Sequence, residues 1–322
     1  MDPVTLLVLG NPAEPQLAML DALRGAAAIT IGNTPATCEN AARHADVVLN
    51  WRSNAGLLEQ IWPIAKQVQW VHIRSAGLDE ILFPALVESS VTLTNARGVF
   101  SDILAEFTVG AVLFFAKDFR RLVTSQMAGK WDPFDVGEIR GQTLGLVGYG
   151  DIGRAVARQA HALGMNVLAL RRRPELSHGD PHISQVFPPN GKHDMLRQTD
   201  YVVVVVPLTP ETRGMISAPE FEAMKPSAVL INIGRGPVVD ESALVQALRD
   251  RRIRGAALDV FDAEPLPDGH PFYMLDNVLL SPHSADQTSD WKERTMRLFL
   301  ENFQRYHAGE PLHNVVNKRL GY

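Results

Sequence analysis

The apolar residues of this chain fall into short runs separated by stretches of helical periodicity. The first series is Val4 to Leu9, Val47 to Leu49, Trp70 to Ile73 and Val91 to Thr94. Each run has strand length, and between them apolar residues recur at helical spacing, which predicts a small α/β unit up to about residue 97. A second series opens at Thr143 to Val147 and continues through Val167 to Leu170, Val202 to Val206, Val229 to Ile231, Ala256 to Leu258 and Val278 to Leu280. The unbroken valines from Val202 to Val206 suit a strand buried on both faces, as in a parallel sheet covered by helices. Between the two series the pattern predicts one long helix over roughly 101–128, linking two domains, with Ser101 as its N-cap and Asp102 in its first turn. A last helical pattern near 289–307 exceeds what the second sheet needs and is expected to return to the first domain.

Composition narrows the class of partner. The 322 residues are 46% hydrophobic and 21% charged, an ordinary globular balance with length for two domains. A net charge of -5 provides no field to gather nucleic acid or an anionic membrane, so a small molecule is the expected partner. The stretch Ile103 to Ala116 is interrupted by Glu106 and Thr108 and falls short of the about 18 apolar residues a span requires, so it reads as a buried helix. The start, Met1-Asp2-Pro3 followed by an apolar run, has no basic leader and reads as a first strand, with the cytoplasm as the expected location. The single cysteine, Cys38, rules out an intramolecular disulfide and a cysteine-based zinc site, and is expected to be a buried small hydrophobe in a reducing compartment. No metal-ligand cluster is apparent, and no serine or cysteine sits in a nucleophile elbow.

Gly148, Gly150 and Gly153 form a Gly-x-Gly-x-x-Gly between a strand and the helical pattern Ile152 to Leu163. The first glycine permits a tight turn, the second lets backbone approach a pyrophosphate, and the third allows close helix packing beside a helix N-terminus that favours anions. Tyr149, Asp151 and Ile152, inside this fingerprint, belong to the same dinucleotide site. At the end of the next strand, where an acidic residue would bind an adenosine ribose, stand Arg171, Arg172 and Arg173. Arginine pairs with phosphate where a carboxylate would repel it, so Arg171 and Arg172 predict a 2′-phosphate site and NADP. If they form only a solvated basic loop, NAD is the cofactor.

Three downstream residues have the chemistry of carbonyl reduction: Arg235 in Asn-Ile-Gly-Arg-Gly-Pro, Glu264 in Asp-Ala-Glu-Pro and His283 in Ser-Pro-His-Ser. A guanidinium matches a 2-keto acid bidentately and polarises the carbonyl. An imidazole is suited to donate the proton, and a carboxylate to orient it. Arg235 and His283 follow strand-like runs, and ligands of open α/β sheets bind at the carboxyl ends of strands, so convergence beside a dinucleotide is expected. Trp131 either caps a substrate pocket or packs an interface.

Together with Val206-Pro207-Leu208-Thr209-Pro210-Glu211-Thr212-Arg213, Ser75-Ala76-Gly77-Leu78-Asp79, Asn95 to Gly98 and Ala105-Glu106, these fragments resemble the D-isomer-specific 2-hydroxyacid dehydrogenase family over most of the chain. Arg171 and Arg172 make the chain most similar to the glyoxylate and hydroxypyruvate reductases. The resemblance implies two Rossmann-like, doubly wound parallel-sheet domains. The substrate domain would comprise 1–98 and 287–322, with the dinucleotide domain, 99–286, inserted between them. It also implies a homodimer, expected to bury the long helix that begins near Ser101. Backbone amides of Ser75, Ala76 and Gly77 would bind the substrate carboxylate, and Val206, Pro207, Thr212, Ile233, Gly234 and Asp259 fall where cofactor contacts lie. The chain departs from many relatives at Phe107, expected to be packing, and at Arg74, which would bring an extra cation to the substrate. The expected activity is NADP-preferring reduction of small 2-keto acids, alternatives being 3-phosphoglycerate dehydrogenase, formate or phosphite oxidation, and a nucleotide-sensing corepressor.

Overall fold

The computed structural model describes residues 3–52 and 54–322. Met1 and Asp2, on which the reading of the chain start partly rests, lie outside them, as does Ser53. The chain divides into two compact units, Met1–Phe100 with Gln287–Tyr322, and Ser101–Asp286.

The first unit is a parallel sheet in the order β2-β1-β3-β4-β5, with β1 Val4–Leu9, β2 Ala27–Gly32, β3 Val47–Asn50, β4 Trp70–Ile73 and β5 Thr92–Thr94. Strand β2 is absent from the sequence reading. It is an edge strand, only partly buried, so its sequence Ala-Ala-Ile-Thr-Ile-Gly carries a weak apolar signal. Alternate residues of a strand face opposite sides. Leu6, Val8, Val47, Leu49 and Trp70 therefore pack with Met296, Phe299 and Phe303 of the helix Trp291–His307. Leu7, Leu9, Val48 and Val71 pack on the other side with Cys38 and Ala42 of the helix Pro35–Ala42. Each such fully buried side chain contributes roughly 1.5 to 3 kcal/mol.

The second unit is a parallel sheet in the order β12-β11-β10-β9-β6-β7-β8. Its strands are β6 Thr143–Val147, β7 Asn166–Leu170, β8 Gln185–Phe187, β9 Tyr201–Val204, β10 Val229–Asn232, β11 Gly255–Leu258 and β12 Val278–Leu280. Strand β8, a short edge, is again invisible in the apolar pattern, and β9 ends before Val205 and Val206. Both units are doubly wound α/β structures of the expected class.

The long helix over 101–128 is corrected to two helices, Ser101–Ala116 and Phe119–Met127. Asp118 between them is left-handed, with φ 48°, and its side chain accepts the amide of Arg121 to start the second helix. Apolar periodicity continues across such a break, which is why the pattern does not reveal it. Ser101 is the first helical residue rather than the cap, and its buried hydroxyl has no partner among the described residues. The helix Ser101–Ala116 belongs to the second unit and packs along Asp151–Ala162, so it is core and not linker. No described helix is long and apolar enough to cross a membrane.

Candidate active site

In the second unit the chain runs from β6 outward to β7 and β8, then returns to β9 on the other side of β6 and continues to β12. The strand order reverses between β6 and β9, and at the carboxyl ends of such a switch point open α/β sheets bind ligands. The glycine fingerprint stands there. Gly148 has φ 110°, and a Cβ on it would lie 2.8 Å from a Val206 methyl and 3.0 Å from the Val205 carbonyl. A Cβ on Gly153 would lie 2.7 Å from the Gly148 carbonyl oxygen, so only glycine lets the helix Asp151–Ala162 start this close to the turn. A Cβ on Gly150 would meet nothing within 4 Å. An unobstructed glycine at the start of a twelve-residue helix fits a pyrophosphate, held by backbone amides and favoured by the helix dipole.

Other expected cofactor residues border the same strand ends. The Thr212 hydroxyl donates to the Pro207 carbonyl at 2.6 Å and accepts the Thr209 amide at 2.8 Å, fixing the turn after β9. Ile233 is buried, and a Cβ on Gly234 would lie 3.2 Å from the carbonyl oxygens of Val204 and Val206, so the loops after β9 and β10 are in close contact. Arg171 and Arg172 follow β7. The Arg171 guanidinium donates to the Ser177 hydroxyl at 2.5 Å, and burial, then neighbouring Arg154 and Arg173, lower its pKa.

Arg235 is positioned by its own loop. The buried Asn232 side chain donates to the Arg235 carbonyl at 3.1 Å and accepts the Gly234 amide at 3.1 Å. On the far side, a Cβ on Gly236 would stand 2.0 Å from the Phe261 carbonyl carbon. This packs the Arg235 loop directly on the segment that carries Glu264. One Glu264 oxygen accepts the Phe261 amide at 3.0 Å, and the other lies 2.6 Å from Nδ1 of His283. His283 itself has φ 51°, a strained conformation for a non-glycine residue.

That conformation is held by Asp259, expected only as a cofactor contact. One of its carboxylate oxygens accepts the Ser281 hydroxyl at 2.5 Å and the amides of Ser284 and Ala285 at 2.9 and 3.1 Å. Burial raises the Asp259 pKa against those hydrogen bonds. Asp286 was missed by sequence reasoning, since a lone aspartate three residues past a histidine carries no signal. Burial raises its pKa, opposed by the charges of His283 and Arg235, so it sits within electrostatic reach of both. Arg235, Glu264 and His283 are thus assembled around neighbouring loops of one unit.

The remaining expected residues lie in the first unit. The carbonyls of Ser75, Ala76 and Gly77 accept from the Ala96 amide, the Asn95 side chain and the Ser75 hydroxyl at 3.1, 2.7 and 2.9 Å. Among the described residues the three amides of this loop donate no backbone hydrogen bond, an arrangement suited to an anion. Arg74, the expected extra cation, is held by contacts that the sequence does not show. Its guanidinium lies 5.2 Å from the ring centroids of both Trp51 and Trp291 and 3.8 Å from Glu14. Burial lowers its pKa, with Glu14 opposing. The same Glu14 oxygen lies 3.2 Å from Lys292, so Arg74 shares its carboxylate with a second cation. Among the described residues no group of histidine, cysteine and carboxylate side chains is arranged to hold a metal ion.

Comparison with known proteins places this geometry. Residues 109–285 match the model of the D-isomer specific 2-hydroxyacid dehydrogenase NAD binding domain. The chain is 36% identical over 272 residues to a glyoxylate reductase of Thermofilum pendens, covering 81% of this chain and 78% of that one. It is 31% identical over 323 residues to a D-3-phosphoglycerate dehydrogenase of Methanocaldococcus jannaschii, covering 98% of this chain and 59% of the relative. Among solved structures it is similar, with a TM-score of 0.84 and 26% identity over 98% of this chain and 99% of the other, to an NADPH-dependent glyoxylate/hydroxypyruvate reductase from Sinorhizobium meliloti in complex with NADP and sulfate.

Proposed function

Because this chain belongs to the D-isomer-specific 2-hydroxyacid dehydrogenase family, we propose that it is an NADPH-preferring reductase of small 2-keto acids, with glyoxylate and hydroxypyruvate as lead substrates. The chain is an NAD(P)-dependent oxidoreductase of 2-hydroxy acids, and the further assignment rests on its own residues. The observation that carries it is the 2.6 Å pairing of His283 with Glu264 in a loop packed on that of Arg235.

The chemistry that a nicotinamide cofactor would supply here, when bound, is hydride donation to the carbonyl carbon. The turn of Gly148, Tyr149, Gly150, Asp151, Ile152 and Gly153 holds the cofactor pyrophosphate, with Val206, Pro207, Thr212, Ile233, Gly234 and Asp259 around the rest. Arg235 holds the 2-keto acid through its planar fork and stabilises the negative charge that develops on the carbonyl oxygen. Glu264, accepting at 2.6 Å, fixes the His283 proton on Nδ1 in the neutral ring, so the protonated ring delivers its proton from Nε2 to that oxygen. The amides of Ser75, Ala76 and Gly77 are assigned to the substrate carboxylate by family resemblance, with Arg74 as the cation that shapes their flank.

Arg171 and Arg172 support NADPH, as does the NADP bound to the Sinorhizobium meliloti relative. The test is a panel of 2-keto acids assayed with NADPH and NADH. Preferred turnover of glyoxylate or hydroxypyruvate with NADPH is expected. Faster NAD-linked oxidation of 3-phosphoglycerate would favour the second reading, which the Methanocaldococcus jannaschii relative motivates. Absence of turnover would favour a nucleotide-sensing binding protein.

The same reading includes a homodimer. Its expected interface, along the stretch 101–128, includes the segment that follows Ser101–Ala116. There Leu122, Val123, Met127 and Trp131 are exposed, the last at 97%. Exposed apolar side chains gathered on one short segment favour a partner, and a two-fold axis would let two copies of the segment cover each other. Light scattering at micromolar concentration is expected to give the dimer mass, and Val123→Asp to give the monomer; a monomeric wild type would overturn the dimer.

A further inference from the structure

We propose that Tyr149 and Asp180 form a brace that presets Arg171, with Arg154 beside it, to receive the 2′-phosphate of the cofactor, making the brace a determinant of cofactor specificity. This rests on the NADPH reading above and deepens it. Tyr149 lies in the glycine turn between Gly148 and Gly150, and its ring is buried at 3% exposure. Its hydroxyl donates to one Asp180 oxygen at 2.7 Å, while the other accepts the His182 amide at 3.0 Å. The Asp180 amide donates to the Ser177 carbonyl at 3.2 Å, and the Ser177 hydroxyl accepts from Arg171 at 2.5 Å. The circuit therefore runs from the turn after β6, through the loop between β7 and β8, to the guanidinium at the end of β7.

The Tyr149 ring is also shared by two cations. The guanidinium carbons of Arg171 and Arg154 lie 6.0 and 5.9 Å from its centroid. Arg154 comes from the first turn of the helix Asp151–Ala162, directly after Gly153. Two like charges held over one ring, with Arg173 adding to the field on Arg171, repel one another, and a dianion between them would relieve that cost. Burial works against the Asp180 charge, yet the hydrogen bonds from Tyr149 and His182 lower its pKa overall, so its charge is committed to the brace. The brace spares the flexible Arg171 side chain an ordering cost on binding, the general benefit of preorganisation.

The experiment is calorimetric binding of 2′,5′-ADP and of 5′-AMP to the intact protein, which separates the 2′-phosphate from the rest of the nucleotide without catalysis. Tyr149→Phe keeps the ring under both cations and removes the hydroxyl; Asp180→Asn removes the charge at the other end. Each is expected to weaken 2′,5′-ADP by about tenfold more than it weakens 5′-AMP, the scale of one charge-assisted contact. Arg154→Gln is expected to act in the same direction. If the wild type prefers 2′,5′-ADP and both brace variants retain that preference, the brace is overturned and the cofactor reading stands. Equal weakening of both nucleotides would show a merely structural turn and overturn it as well. A wild type that binds the two nucleotides equally overturns the NADPH reading and this inference with it.

Discussion

Nδ1 of His283 lies 2.6 Å from Oε2 of Glu264, while Oε1 of the same carboxylate accepts the Phe261 amide at 3.0 Å. The carboxylate is therefore anchored before it meets the imidazole, and its orientation passes to the ring. His283→Ala is expected to lower kcat by about 10² to 10⁴-fold, the usual worth of a general acid, with cofactor binding retained. Glu264→Gln is expected to fall between that variant and the wild type, because glutamine keeps the shape but not the charge. Steady-state kinetics beside a fluorescence titration of the reduced cofactor measure both. Unchanged kcat in His283→Ala would sink the assignment of the acid.

Arg235 is expected to resist conservative replacement. Lysine carries the charge but not the planar fork, so Arg235→Lys should raise KM for glyoxylate and lower kcat together, with kcat/KM down by about 10² to 10³-fold. A loss confined to KM would mean that Arg235 binds the substrate without acting on the carbonyl.

Gly236 is required by a contact rather than by backbone freedom. Its added Cβ would stand 2.0 Å from backbone of Phe261, which cannot swing aside as a side chain would. Gly236→Ala should therefore displace the Arg235 loop from the Glu264 segment, costing roughly 1 to 3 kcal/mol of stability together with most of the activity. Urea unfolding and kinetics check the pair. A fully active, fully stable alanine variant would show that the two loops move independently.

His72 makes the first unit sensitive to acid. It is fully buried; its Nδ1 lies 2.8 Å from the Thr94 hydroxyl, which also accepts from Trp70 at 2.8 Å, and its Nε2 has no partner among the described residues. Burial lowers its pKa to about 3 from 6.5. The fold thus favours the neutral ring. The stability it contributes is complete above pH 6.5 and is lost as pH falls toward about 3, by at most roughly 1.4 kcal/mol per pH unit. His72→Gln is expected to flatten the fall in unfolding free energy between pH 6.5 and 4.5 relative to the wild type. Parallel curves for the two proteins would refute it.

Much of this protein is legible along the chain. Runs such as Val4 to Leu9 and Thr143 to Val147 announce buried parallel strands because both faces of such strands need apolar residues. Strands β2 and β8 escape because most of their residues are only partly buried and the apolar requirement lapses. Gly148, Gly150 and Gly153 are informative because backbone conformation and close approach restrict those positions to one residue type. Arg235, Glu264 and His283 stand out by chemical type and by their placement after strands or beside prolines.

What only the tertiary structure decided are relationships between residues far apart in sequence. The sequence marks Glu264 and His283 as separate candidates; their 2.6 Å contact depends on where β11 and β12 end. Asp259 anchors the His283 loop, and Asp180 ties down the glycine turn, through single side-chain oxygens whose partners no local pattern encodes. Arg74 reads along the chain as an added cation, and only the fold sets it between Trp51, Trp291 and a Glu14 shared with Lys292. Hydrophobic periodicity specifies which face of an element is buried, because that depends on neighbours three or four residues away. The partner of a polar group is set by the packing of whole elements, and it exists only once the sheet has formed.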